Sequence, residues 1–149
     1  MHKNYRNESF RIEKKFLEFF IKFLYKKIPK NSYLVVTSDH GQTLVKKRYR
    51  LPIINTFPVG GSRVAFYKSE KEKVERILRS KRIPAKVYEI DEIYGKVNKR
   101  CIDNFGNVIV IAKENIGFIY PFEKSKEDIG AHGGISKEEM YVNVYIGKK

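Results

Sequence analysis

The first thirty residues place apolar side chains at helical spacing, and lysines occupy many of the positions between them. The apolar stripe consists of Ile12, Phe16, Phe19, Phe20, Phe23 and Leu24. This period predicts an amphipathic helix over about residues 7–27, with Pro29 closing the segment. We expect residues 1–30 to form an N-terminal helix whose stripe packs on the sheet that follows. The alternative for a basic amphipathic helix is a membrane surface.

After this helix, apolar runs of strand length alternate with turns and with a further helical pattern. The predicted strands cover residues 33–37, 63–67, 85–90, 108–112, 116–120 and 140–146; the first is expected to be buried, and the fourth and fifth form a hairpin. Val74, Ile77 and Leu78 share one helical face between the second and third strands. This strand–helix–strand repetition predicts an α/β fold, a layered sheet with flanking helices, in one domain over residues 1–149.

The charge of the chain adds an expectation about partners. Its 31 Lys and Arg against 17 Asp and Glu give a formal net charge of +14. Such an excess attracts polyanions such as nucleic acid, unless it is only a solvated lysine-rich surface. A single cysteine, Cys101, favours a reducing cytoplasm, and the lack of an apolar run of about 18 residues argues against a membrane span. We therefore expect a cytoplasmic protein with no membrane partner.

A basic cluster is the sequence candidate for polyanion binding. It consists of Lys46, Lys47, Arg48 and Arg50, to which we add Arg63 after the turn at residues 60–62. The backbone amides of that turn and the nearby cationic groups could together hold a phosphate or a nucleic-acid backbone. For any one of these residues the alternative is an ordinary solvated loop or turn.

Two histidines lie in contexts that suit metal chemistry. The apolar strand at residues 33–37 runs into Asp39, His40 and Gly41, and His132 lies between Ala131 and two glycines. Carboxylate and imidazole groups bind divalent transition metals, and ligands collect beyond the carboxyl ends of strands in α/β folds. The alternative for the first context is an ordinary turn, in which Asp39 bonds local amides.

These two contexts carry a resemblance to a known family. Val-Val-Thr-Ser-Asp-His-Gly at residues 35–41 resembles the late metal-binding motif of the alkaline phosphatase superfamily. His-Gly-Gly-Ile-Ser-Lys-Glu-Glu-Met-Tyr-Val at residues 132–142 resembles the PglZ-domain branch. The resemblance implies the C-terminal part of an α/β/α phosphoryl or sulfuryl hydrolase with two metals, usually zinc or manganese. Asp39 and His40 would serve one metal and His132 the other.

The chain also departs from the family pattern. It lacks the upstream Asp, the Thr or Ser nucleophile and the Asp of an Asp-x-x-x-His pair, so no catalytic residue is assigned. We expect a partial or degenerate PglZ-type metallo-phosphoesterase domain. Alone it would be inactive; completed by an upstream half-domain or a homo-oligomer, it would be a phosphoric ester hydrolase. The alternative is a basic, non-catalytic module associated with nucleic acid or with another protein.

Overall fold

The computed structural model describes residues 8–124 and 128–149. His2, which the resemblance places near the histidine of the Asp-x-x-x-His pair, lies outside them. The helices are α1 (Glu8–Lys27), α2 (Lys71–Ser80), α3 (Ile90–Tyr94), α4 (Lys99–Phe105) and α5 (Lys137–Met140). The strands are β1 (Tyr33–Val36), β2 (Thr43–Leu44), β3 (Lys47–Arg50), β4 (Val59–Gly60), β5 (Val64–Tyr67), β6 (Ala85–Glu89), β7 (Val108–Ala112), β8 (Ile116–Ile119), β9 (Gly130–Ala131) and β10 (Tyr145–Lys148). The expected α/β fold with helices flanking sheets is confirmed.

The core is a four-stranded sheet in the order β4-β5-β7-β6. Because β5 and β6 both run antiparallel to β7, they are parallel to one another, and α2 connects them. Every residue of β7 is buried, since alternate side chains point to opposite faces of the sheet and both faces are covered. Val108 and Val110 pack in the cluster with Val74 and Leu78 of α2, whereas Ile109 packs on the other side.

Three shorter ladders extend from this core. β3 pairs in parallel with β8, β2 pairs antiparallel with β9, and β1 pairs antiparallel with β10. The predicted β7–β8 hairpin is therefore wrong. Glu114, at a φ of 45°, turns the chain away from β7, and β8 then lies beside β3. The basic residues of β3 hid this strand from the sequence prediction.

The N-terminal helix has the expected bounds, but its apolar stripe does not pack as expected. Ile12, Phe16 and Phe19 are 68%, 70% and 67% exposed. Contact with β10 is made near the end of the helix, where the Tyr25 hydroxyl donates to the carbonyl of Lys148. A ladder of two four-residue strands is about 10 Å wide and cannot cover a 20-residue helix.

The strand predicted to be buried, β1, is also open on one face. Val35 pairs with Ile146, and these side chains are 57% and 64% exposed. The opposite face lies towards α1, because a Cβ added at Gly147 would lie 3.0 Å from the Tyr25 ring. No helix among the described residues is long and apolar enough to cross a membrane.

Candidate functional site

The candidate site forms where two distant segments meet. β1 ends at Val36 and leads into His40, while β9 ends at Ala131 and is followed at once by His132. The pairing of β2 with β9 holds the two segments side by side. The imidazole rings of His40 and His132 are stacked, with centroids 3.8 Å apart and planes 13° from parallel. The structure thus brings together the two histidines that the sequence singled out.

Asp39 lies beside His40 at the exposed side of this pair. Its Oδ2 is 3.5 Å from the Nε2 atom of His40, and its Oδ1 accepts a hydrogen bond from the His40 amide at 3.1 Å. Desolvation, the largest single effect, raises the pKa of Asp39, but the charge of His40 and hydrogen bonds from backbone amides and Ser38 together outweigh it, so the pKa is lowered overall. Asp39 therefore stays ionised at neutral pH, which is the state a metal ligand needs.

The tautomer of neutral His40 follows from its neighbour. The Nδ1 atom lies 2.7 Å from the carbonyl oxygen of Gly41. A carbonyl oxygen only accepts, so Nδ1 carries the proton and Nε2 keeps its lone pair. A metal-binding histidine usually has this arrangement, with one ring nitrogen donating to a carbonyl and the other facing the ion.

The geometry falls short of a formed metal site. Across residues 8–124 and 128–149, no three His, Cys, Asp or Glu side chains form a group that could hold an ion. The rings of His40 and His132 are in contact with one another face to face. The donor types and the tautomer of His40 suit zinc or manganese, whereas the number and arrangement of ligands do not complete a site.

A cavity of about 380 Å³ opens beside His40. Its wall includes Val36 and Ser38 from the segment around the end of β1 and Val144 and Tyr145 from the start of β10. Leu17 of α1 also lines it, so the cavity extends from α1 to His40.

Arg63 does not have the role that the sequence suggested. Its side chain is 2% exposed, and its Nε donates to the Oε1 atom of Glu139 at 2.7 Å. Its Nη1 and Nη2 atoms donate to the backbone carbonyls of Ile116 and Ala112. A buried guanidinium that is bonded in this way cannot contact an external phosphate, so the expectation for Arg63 is corrected.

The basic cluster divides into two pairs. Lys46 and Lys47 are exposed. Arg48 is half-buried and donates to the carbonyl of Asp128. Burial lowers the pKa of Arg48, and this effect exceeds the rise caused by the charges of Asp128 and Glu123. Arg50 donates to the carbonyls of Tyr120 and Glu123, both at 2.9 Å. The two lysines therefore present charge to solvent. The two arginines, of which Arg50 is also exposed, tie β3 to the loop after β8.

The fold, though not the activity, is established by a structural comparison. The chain has the mixed α/β arrangement of part of an alkaline-phosphatase-like fold. It is similar to murine ectonucleotide pyrophosphatase/phosphodiesterase 5, with a TM-score of 0.59 and 21% sequence identity over 89% of this chain. The match spans 38% of the length of that protein. No family model matches the chain, and no curated protein matches it.

Proposed function

We propose that this chain is part of a PglZ-type metallo-phosphoesterase domain that retains late metal ligands and lacks a nucleophile. The observation that carries the proposal is the stacking of His40 on His132 at the carboxyl end of β1, beside the ionised Asp39. The likeness to part of a phosphodiesterase fold supports it. Asp39 and His40 would hold one zinc or manganese ion and His132 a second. Such ions stabilise charge on phosphoryl oxygens when they are bound.

The proposal includes a partner that completes the site. Three candidate ligands leave both metals short of the usual number, and the cavity beside them runs into exposed apolar surface. Val35 and Ile146 are cross-strand neighbours on the open face of the β1–β10 ladder, and Phe16 is exposed separately on α1. Exposed apolar patches such as the one on the ladder are typical of interaction sites. An upstream half-domain fits better than a second copy, because two chains of charge +14 repel one another.

Calorimetric titration of the purified chain with zinc and with manganese tests the metal ligands. We expect stoichiometric binding that His40→Ala and His132→Ala each weaken by at least about tenfold, because each substitution removes a direct ligand. The exposed side chain of Lys81 provides the control, and Lys81→Ala should bind as the parent chain does.

Binding that is absent, or that is unaffected by both histidine substitutions, would contradict the proposal. Phosphodiesterase activity with bis(p-nitrophenyl) phosphate should stay at background for the chain alone, since the proposal assigns no nucleophile to it. Turnover by the isolated chain that disappears in His40→Ala would show that the site is complete without a partner.

A second candidate function, polyanion binding, is favoured by the exposed lysines. Lys46, Lys86 and Lys113 line a cavity of about 620 Å³ that Glu114 and Glu138 also line, and Lys47 is exposed nearby. We expect Lys46→Gln with Lys47→Gln to weaken binding of a single-stranded oligonucleotide. The slope of log affinity against log salt should fall by about 0.7 for each lost phosphate contact. The pair Lys81→Gln and Arg82→Gln removes the same charge elsewhere, and an equal effect would mean that only net charge matters.

A further inference from the structure

The segment that contains His40 and the segment that contains His132 both donate hydrogen bonds to one residue, Glu139, which was not among the candidate site residues from the sequence. The backbone carbonyl of Glu139 accepts a hydrogen bond from the amide of Gly41 at 2.9 Å. Its Oε1 atom accepts from the amide of Gly134 at 2.8 Å and from Nε of Arg63 at 2.7 Å. Gly41 directly follows His40, and Gly134 lies two residues after His132. Glu139 thus contacts the backbone next to each histidine.

Close packing accompanies the hydrogen bonds at Gly41 and Gly134. A Cβ added at Gly41 would lie 1.9 Å from the carbonyl oxygen of Glu138. A Cβ added at Gly134 would lie 2.7 Å from Oε2 of Glu139. Neither position has room for a side chain, so the glycines allow both histidine segments to lie directly against α5.

The burial of Glu139 makes its position well defined. Its side chain is 1% exposed, and the buried carboxylate is neutralised by Arg63, which directly precedes β5. A buried carboxylate without its partner would be strongly destabilised, so the ion pair allows few alternative positions. Helix α5 has four residues and would not be stable alone, and these contacts hold it in place.

We propose that Glu139 is the positioning residue of the histidine pair, setting the stack of His40 on His132 by holding both segments to the core through Arg63. The proposal concerns the same site as the proposed function, but the stack can be measured in the metal-free protein. Loss of the Glu139 contacts should separate the two rings while the core sheet stays folded.

Nuclear magnetic resonance of the metal-free chain with labelled histidines tests this. Stacked rings give an Overhauser contact between His40 and His132 and an upfield ring-current shift. Gly134→Ala forces the Glu139 carboxylate away, and we expect it to abolish both signals. Gly61→Ala is the matched control, because its added Cβ lies 3.8 Å from the nearest atom, and it should retain them. Amide shifts of β7 report whether the core is intact in each variant.

Two substitutions of Glu139 distinguish the effect of its side-chain length from the effect of its charge. Glu139→Gln keeps an oxygen that can accept from Gly134, so the ring contact should remain. Glu139→Asp keeps the charge but is one methylene shorter, so the contact should be lost. A ring contact that persists in Gly134→Ala with an intact core overturns the proposal. The proposal is also overturned if, across Gly134→Ala, Glu139→Gln and Glu139→Asp, the ring contact weakens only in proportion to the loss of overall stability.

The proposed function is read from a separate measurement. If the parent chain binds zinc, Gly134→Ala should weaken that affinity by about tenfold or more, as loss of supporting contacts around metal ligands typically does. If the parent chain binds no zinc, the metal proposal fails, and the ring contact still decides the role of Glu139.

Discussion

The core sheet and the β1–β10 ladder contain strands of the same kind in different surroundings. β7 has the sequence Val-Ile-Val-Ile-Ala and β1 has Tyr-Leu-Val-Val. Val110 in β7 is 0% exposed and Val35 in β1 is 57% exposed. In the core, α2 covers one face of the sheet, and α3 and α4 contribute to the cluster on the other. In the ladder, α1 lies towards one face, and the other is open within the described residues.

The difference shows what an apolar strand requires. A strand that is apolar on both faces is typical of a sheet covered on both sides. The β7 strand has that environment within this chain, whereas β1 does not. The open face of β1 is therefore an apolar strand face that the described residues leave uncovered. The following predictions test whether the two regions differ as their burial indicates.

The largest expected difference in the free energy of unfolding comes from replacing a phenylalanine by alanine in the core and on α1. Phe118→Ala should lower the free energy of unfolding by about 3–5 kcal/mol, because Phe118 is 0% exposed and its removal leaves a cavity. Phe16→Ala should change it by less than about 0.5 kcal/mol, because Phe16 is 70% exposed. Urea denaturation measures both. Equal losses would mean that α1 is covered in solution, for example by self-association.

A smaller effect is expected from a change that keeps side-chain shape. Val110→Thr buries a hydroxyl in the core and should cost about 1–3 kcal/mol. Val35→Thr places the hydroxyl on the open face of β1 and should cost less than about 0.5 kcal/mol. A dye that binds exposed apolar surface should fluoresce less with Val35→Thr than with the parent chain. An unchanged signal would indicate that this face is already covered.

The smallest expected effect is a fall in the free energy of unfolding at alkaline pH, which arises from a core tyrosine. Burial, together with the charge of Glu123, raises the pKa of Tyr120 well above its ordinary value of 10.0. Below pH 10 the folded and unfolded states both keep this proton. Above it the unfolded chain releases the proton first, so stability falls as pH rises. At pH 11 Tyr120→Phe should remove about 1.4 kcal/mol of that fall.

The control for this measurement is Tyr33→Phe in the ladder, where the ring is 62% exposed. Its profile of stability against pH should follow that of the parent chain. The two profiles are compared by urea denaturation between pH 9 and pH 11. A Tyr120→Phe profile that coincides with the parent would place the alkaline transition elsewhere.

Local patterns made much of the fold predictable. The spacing of Phe16, Phe19 and Phe23 indicated α1, and the uninterrupted apolar run of β7 indicated a core strand. The contexts of His40 and His132 identified side chains that the structure brings into contact. In each case the signal lies within a few neighbouring residues, where backbone propensity and side-chain period act directly.

Features that depend on distant partners were not predictable in this way. Arg63 and Glu139 are 76 positions apart, so nothing near Arg63 indicated a buried ion pair instead of a phosphate contact. The strand β3 was hidden because its arginines bond to the carbonyls of a segment about 70 residues later. In the sequence, the exposed apolar stripe of α1 has the same pattern as a stripe that faces a core. Periodicity shows which positions are apolar, but it does not show what covers them.

The arrangement of the core sheet has a consequence for how the protein folds. β7 lies between β5 and β6, although both precede it in the chain. During synthesis β5, α2 and β6 therefore leave the ribosome before the strand that joins them exists. Until β7 inserts, both neighbours expose unpaired edges that invite aggregation. Completion of this sheet requires contacts between distant parts of the chain, so we expect folding to be slow for a protein of this size.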